Sequence, residues 1–290
     1  MNVNKKLIDI KDRIEERSKD SRSDYLKKIK FSSEHSKSAR KNMGCSNIAH
    51  AFASCDKAQQ NQGANGGTVI GVVSAYNDML SAHAPLKDYP DIIKNSAEKR
   101  NAIARVAGGV PAMCDGITQG EPGMELSLFS RDVIALSTAV AFSHNVFDAG
   151  ICLGVCDKIV PGLVIGALSF GHLPIAIIPA GPMPTGISNE EKSSNRKKYA
   201  SGEIDRSALI LSEQSAYHSS GTCTFYGTAN TNQLIMEVMG LQLPSASFYQ
   251  PNSKERQLLI YRTVECILEL NDKDIKMGEM LDSKSWVNSI

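Results

Sequence analysis

Apolar and polar positions divide the chain into strand-like and helix-like stretches that alternate. Thr68–Ala75 (TVIGVVSA) is an unbroken, β-branched apolar run and predicts a buried strand. Ala149–Val155 (AGICLGV) and Leu173–Pro179 predict two more. Pro90–Ile103, Leu126–His144 and a short stretch near 162–170 read as helices between them. Ala107–Met124 reads as a loop rich in Gly and Met. Asn189–Gln214 is charged and predicts two surface helices, with Ala229–Gly240 and Ser253–Leu270 following as two more. Strands that alternate with helices and are apolar on both faces imply an α/β fold, a mainly parallel sheet flanked by helices.

The first 66 residues differ from the rest. Leu7, Ile10 and Ile14 recur at helical spacing on a charged background, which predicts an amphipathic helix docked on the protein's own surface and no secretory signal. Asp56–Gly67 has the composition of a polar linker. The expected division is therefore 1–66, a helical segment with its linker, and 67–290, an α/β domain. The chain stops at an apolar Ser285–Ile290 soon after a helix, which reads as a fragment.

Charge narrows the partners. Lys and Arg number 32 against 31 for Asp and Glu, so the net charge is +1 and a general nucleic-acid binder is not expected. Between Lys158 and Glu190 there is no charged side chain, a length that would permit a membrane span. Pro161, Gly162, Gly166, Gly171, Pro174 and Pro179 interrupt any such helix, so the run reads as sheet core and no membrane partner is expected. Seven cysteines without a secretory leader do not suggest a disulfide framework, and the chain reads as cytoplasmic.

Several of those thiols sit where chemistry is expected. Cys156-Asp157-Lys158 directly follows a predicted strand, and ligands of open α/β sheets bind at the carboxyl ends of strands. Its thiolate suits iron or zinc and its carboxylate suits magnesium or manganese, although a half-buried Cys beside a surface ion pair fits equally well. Cys114-Asp115 repeats the pairing inside the glycine-rich loop. Cys223 lies in Gly221–Asn232, which feeds a helix whose N-cap would be Thr228. The three are far apart in sequence with no C-x-x-C, which favours a cluster held from several loops over structural zinc. Asn77, Asp78 and His83, closing the first strand, are possible substrate contacts, a structural hydrogen bond being the alternative for His83. Cys45, Cys152 and Cys266 fit ordinary burial, and Cys55-Asp56 fits a surface pair.

Long motifs then carry a resemblance. SAYNDMLSAH (74–83), AGGVPAMCDGITQGEPGMELSLFSR (107–131), LGVCDKIVPG (153–162), LSFGHLP (168–174) and GTCTFYGTANTNQ (221–233) resemble the dihydroxy-acid/phosphogluconate dehydratase family. MCDG and GTCTFYG resemble its phosphogluconate branch. The resemblance implies the N-terminal, cluster-bearing domain of a two-domain iron–sulfur hydro-lyase. Its reaction would be dehydration of 6-phospho-D-gluconate to 2-dehydro-3-deoxy-6-phosphogluconate in the Entner–Doudoroff pathway.

Position by position, the resemblance makes Cys156 and Cys223 ligands of a [4Fe-4S] cluster, with Cys114 the candidate third. Asp115 and Asp157 match magnesium-binding positions, and Lys158 matches a lysine that is carbamylated and metal-binding in some relatives, a catalytic position. Thr224 joins Asn77, Asp78 and His83 as a substrate contact, and Arg105, Arg131, Lys158 and the helix N-terminus after Cys223 are equal candidates for the phosphate. The expected partners are a small sugar-acid phosphate and a second copy in a homodimer. Such enzymes carry a further metal-binding acid and a serine base in a C-terminal half that 290 residues do not hold, so the chain alone is expected to be inactive. The alternatives are another sugar-acid or branched-chain dihydroxy-acid dehydratase, or an inactive fragment serving as a binding or dimerisation module.

Overall fold

The computed structural model describes residues 4–184, 186–223 and 227–290. Four strands, β1 (Val69–Ser74), β2 (Ile103–Gly109), β3 (Ala149–Leu153) and β4 (Ile175–Ile178), form one parallel sheet in the order β2-β1-β3-β4. The helices, in chain order, are α1 (Lys5–Asn42), α2 (Cys45–Phe52), α3 (Lys57–Ala64), α4 (Tyr89–Glu98), α5 (Asp115–Thr118), α6 (Ser127–Phe142), α7 (Ile159–Leu168), α8 (Asn189–Ala200), α9 (Arg206–Ala216), α10 (Thr228–Val238), α11 (Lys254–Asp272), α12 (Met277–Met280) and α13 (Ser283–Asn288). The α/β class is the one expected.

The sheet is buried because its strands are apolar on both faces. Every residue of β1 and β3 is buried. Helices α4 and α11 pack together against the sheet, and α6 packs with α7 and against β1 and β2. The close approach of α6 and α7 depends on Gly162 and Gly166. A Cβ on Gly166 would lie 2.6 Å from the Ala135 carbonyl oxygen. No helix among the described residues is long and apolar enough to cross a membrane.

Three elements differ from the expectation. The expected helix ends at Glu98, and 103–109 is a strand, not the end of a helix running into a loop. As an edge strand β2 lacks a continuous apolar face: Arg105 is half-buried, Val106 is exposed and Gly108-Gly109 closes it. The expected linker contains α3, whose N-terminus is capped by the Asp56 carboxylate accepting from the Gln59 amide at 2.8 Å. Buried Gly63 in α3 packs against the Phe52 ring of α2. The N-cap of α10 is Gly227, and Thr228 is the first helical residue.

Helix α1 extends far beyond its predicted apolar stripe. Leu7 is exposed and Ile10 and Ile14 are half-buried, while Ile29 is buried. The Tyr25 hydroxyl donates to the Leu168 carbonyl at 2.8 Å, tying α1 to the end of α7.

Because the α6–α7 contact has a backbone oxygen on one side, it cannot yield to a larger side chain. Gly166→Val is expected to lower folding stability by about 1–3 kcal/mol in urea unfolding. A loss below about 0.5 kcal/mol, the range of neutral surface changes, would contradict this packing.

Candidate active site

Parallel pairing puts the carboxyl end of each strand on one edge of the sheet. Strand β1 runs with β2 on one side and with β3 on the other, so the chain's direction of winding reverses between β1 and β3. Such a switch point is where open α/β sheets form their ligand crevice. Here the loop after β1 carries Tyr76, Asn77 and Asp78, and the loop after β3 carries Cys156, Asp157 and Lys158. The loop after β2 leads into Cys114 and Asp115.

Cys223 reaches the same edge from a distant part of the chain. A parallel bridge joins Pro182, in the loop after β4, to Thr222. The Thr222 amide donates to the Gly181 carbonyl at 2.9 Å, and the Gly221 amide donates to the Ser81 carbonyl at 2.7 Å. A buried polar network fixes this segment to α10. The Thr222 hydroxyl donates to Asn230 Oδ1 at 2.6 Å, Asn230 Nδ2 to the Cys223 carbonyl at 3.0 Å, and Gln233 Nε2 to Asn230 Oδ1 at 3.1 Å. Gln233 Oε1 accepts from the Gly181 amide at 3.2 Å. Sequence reading missed these residues as supports. Their signal was Asn230 and Gln233 three residues apart on a helix face shared with Ala229 and Met236.

The carboxylates and lysine form a tight cluster. Lys158 Nζ donates to Asp157 Oδ2 at 2.8 Å and to Asp115 Oδ2. Asp115 Oδ1 accepts from the Ser127 hydroxyl at 2.6 Å. Burial opposes charge on Asp115, but the bonds from Lys158 and Ser127 outweigh it and hold the carboxyl below its usual range. Burial likewise works against the Lys158 ammonium, and the two carboxylates outweigh it and raise the amine above its usual value. The lysine is thus an ammonium between two carboxylates. Ser127, at the first position of α6, is a second support the sequence reading did not find.

Cys156 has a backbone φ of 79°, the left-handed region that non-glycine residues rarely enter. Burial, followed by the neighbouring charges of Cys114, Asp157, Cys223 and Asp115, pushes its thiol well above the usual range. The parallel strands and the Pro182–Thr222 bridge bring the segments carrying Cys114, Cys156 and Cys223 to the same edge. Among the described residues, no three His, Cys, Asp or Glu side chains already meet around one point at metal-binding separation.

The other expected residues are spread around this edge. Asn77 Oδ1 accepts from the Met79 amide at 3.0 Å, shaping the turn, and Asp78 is exposed. His83 is 1% exposed, and its Nδ1 bonds the Ala75 carbonyl at 2.9 Å. Burial outweighs that bond and lowers its pKa to about 4, so the ring is neutral with the proton on Nδ1. Thr224 lies outside the described residues. Arg105 pairs in register with Gly71, away from the carboxyl edge, and its guanidinium donates to Ser54 Oγ at 2.7 Å and to Cys55. Arg131 faces Asp132 at 3.6 Å. The expectation of burial holds for Cys152 alone: Cys45 is exposed and Cys266 half-buried. Both stand near helix surfaces rather than in the sheet.

Comparison with known proteins bears on this site. The family described as "Dihydroxy-acid/6-phosphogluconate dehydratase N-terminal" matches residues 68–290. The phosphogluconate dehydratase of Pseudomonas aeruginosa is 50% identical over 98% of this chain and 47% of its own length. That of Escherichia coli K12 is 49% identical over 99% of this chain and 48% of its own length. The dihydroxy-acid dehydratase of Aquifex aeolicus is 32% identical over 75% of this chain and 40% of its own length. The chain therefore spans about half the length of the curated phosphogluconate dehydratases it matches.

A thiol held protonated by burial reacts slowly, since the thiolate is the nucleophile. In metal-free protein at pH 8, iodoacetamide is expected to label exposed Cys45 at least about tenfold faster than Cys156, read by peptide mass spectrometry. Equal rates, or faster labelling of Cys156, would contradict its half-buried, charge-crowded placement.

Proposed function

We propose that this chain, which belongs to the dihydroxy-acid/6-phosphogluconate dehydratase family, is the cluster-binding part of a phosphogluconate dehydratase. The family is generally iron–sulfur dependent. The observation that supports the reading here is the convergence of Cys114, Cys156 and Cys223 at one sheet edge, beside the Asp115–Lys158–Asp157 cluster. Residues 67–290 are read as the cluster-bearing unit, with 1–66 a helical addition packed on it.

In the reaction, 6-phosphogluconate loses the proton from carbon 2 and hydroxide from carbon 3, together one water. The enol left behind tautomerises to the 2-keto acid. A bound [4Fe-4S] cluster supplies a Lewis acid for the departing hydroxyl. Cys156, Cys223 and Cys114 are the residues to hold it. The carboxylates of Asp115 and Asp157 form a hard oxygen pair suited to magnesium, and Lys158 now balances their charge. Lys158 must lose its proton before it can be carbamylated, and the carboxylates resist that loss. Ser127 fixes Asp115, while Asn230 and Gln233 fix the Cys223 loop. Asn77 and Asp78 border the crevice as substrate contacts; Thr224 is kept in that role from its place beside Cys223. His83 serves from inside the loop that carries them. The assembly is read as a cytoplasmic homodimer.

Reconstitution with iron and sulfide without oxygen tests the reading. The chain is expected to gain iron, acid-labile sulfide and visible cluster absorbance. Cys156→Ser and Cys223→Ser are each expected to remove most of all three, and Cys45→Ser to leave them unchanged. A chain that binds no iron, or loses none in C156S, would overturn the proposal. The whole protein should turn 6-phosphogluconate, and not a branched-chain dihydroxy acid, into a 2-keto acid, while this chain alone should not.

A further inference from the structure

Helix α6 is apolar on two opposite faces, and the fold uses one of them. Ser127, Ile134, Thr138, Ala141 and Phe142 are buried against the sheet and α7. On the opposite face, Phe129, Val133, Leu136 and Val140 form a line that Leu126 in the preceding turn extends. These five are between 48% and 68% exposed. Their spacing alternates three and four residues, the pattern that seats one helix on another by knobs into holes. No other helix among the described residues exposes as many large apolar side chains.

We propose that this stripe pairs with the same stripe of a second copy of the chain, antiparallel about a two-fold axis. The inference rests on the homodimer reading above and gives it a surface. The stripe is complementary to itself in one register. With the axis between Ile134 and Ala135, Phe129 faces the partner's Val140 and Val133 faces the partner's Leu136. Both of these layers mate a valine with a larger side chain, which fills space without two bulky groups colliding, and Leu126 at each end faces the partner's Ser143, which is small. The charges agree. Exposed Glu125, at one end of the stripe, meets the partner's His144 at the other, whose Nδ1 bonds its own Ala141 carbonyl at 2.8 Å and leaves Nε2 to face the carboxylate. Asp132, the acid on the flank, lies beside Ser137 of the partner subunit and already has Arg131 at 3.6 Å. The remaining flanks are Ser130, Ser137 and Ala139, small enough for close approach. An isologous contact of this kind closes on itself and leaves no open apolar end.

The pairing also meets the active site. Leu126 starts the stripe, and its neighbour Ser127 holds Asp115. A partner on α6 therefore steadies the helix whose first residue orients a site carboxylate.

Sedimentation velocity of the chain at micromolar concentration tests the proposal. The expected result is a dimer. Leu136→Glu should raise its dissociation constant about 100-fold, the range of a truncated or charged hot spot. Leu211→Glu on α9, an equally exposed leucine elsewhere, should not change it. His144→Glu should weaken the dimer and Glu125→Lys combined with it should restore it. Circular dichroism of each variant confirms that it folds. A monomer at every concentration, or a dimer indifferent to Leu136→Glu, would overturn the proposal and leave the stripe to another occupant, such as the remaining half of the longer relatives. The readout needs neither iron nor substrate, so failure to bind a cluster with an intact dimer would sink the functional reading alone.

Discussion

The site depends on the parallel pairing of β1 with its neighbours. Val73 runs beside Cys152 and Ser74 beside Leu153, so the chain leaves β1 and β3 side by side. On the other flank Ser74 pairs with Gly109 of β2, which leads toward Cys114. Parallel strands cannot be joined by tight hairpins, so each return is made by a helix on a face of the sheet. The edge at the carboxyl ends is left to loops, and those loops hold the chemically distinctive side chains. An antiparallel arrangement of the same strand order would keep Cys114 and Cys156 on one edge but carry Asn77 and Asp78 of the β1 loop to the opposite one.

That constraint does not place Cys223. Its segment follows β4 by some distance in sequence and has no strand of its own. It is placed by exchanged backbone bonds with Gly181 and Met183 and by the Thr222–Asn230–Gln233 network. Buried polar networks stiffen what they join when each member is satisfied. Here the network links the loop after β4 to the start of α10, with the Cys223 carbonyl held between. The acid–lysine cluster is steadied in the same manner, by Ser127 at the start of α6.

Much of this was legible in sequence, and the reasons are physical. β1, β3 and β4 are buried on both faces, so their apolar runs announce them. β2 is an edge strand with Arg105 in its middle and two glycines at its end, and its pattern imitates a helix running into a loop. Helix α3 is nearly all polar and is held by the Asp56 cap and by the Gly63–Phe52 contact, neither of which periodicity registers. Cys114, Cys156 and Cys223 stood out through their company: acids beside two, small hydroxyl residues and glycines around the third. Ser127, Asn230 and Gln233 did not, because a supporting residue is identified by what it touches. Leu126–His144 is a long apolar helix in the sequence, and only the packing shows which face of it the fold leaves over.

Three cysteines from separate loops are proposed to hold one iron–sulfur cluster at the carboxyl edge of this sheet. Iron K-edge X-ray absorption of the chain reconstituted without oxygen tests it most directly. The account predicts a sulfur first shell with a second shell of iron neighbours, and loss of the iron–iron shell in Cys156→Ser. Iron bound only by oxygen and nitrogen, or an iron–iron shell unchanged in that variant, would contradict it.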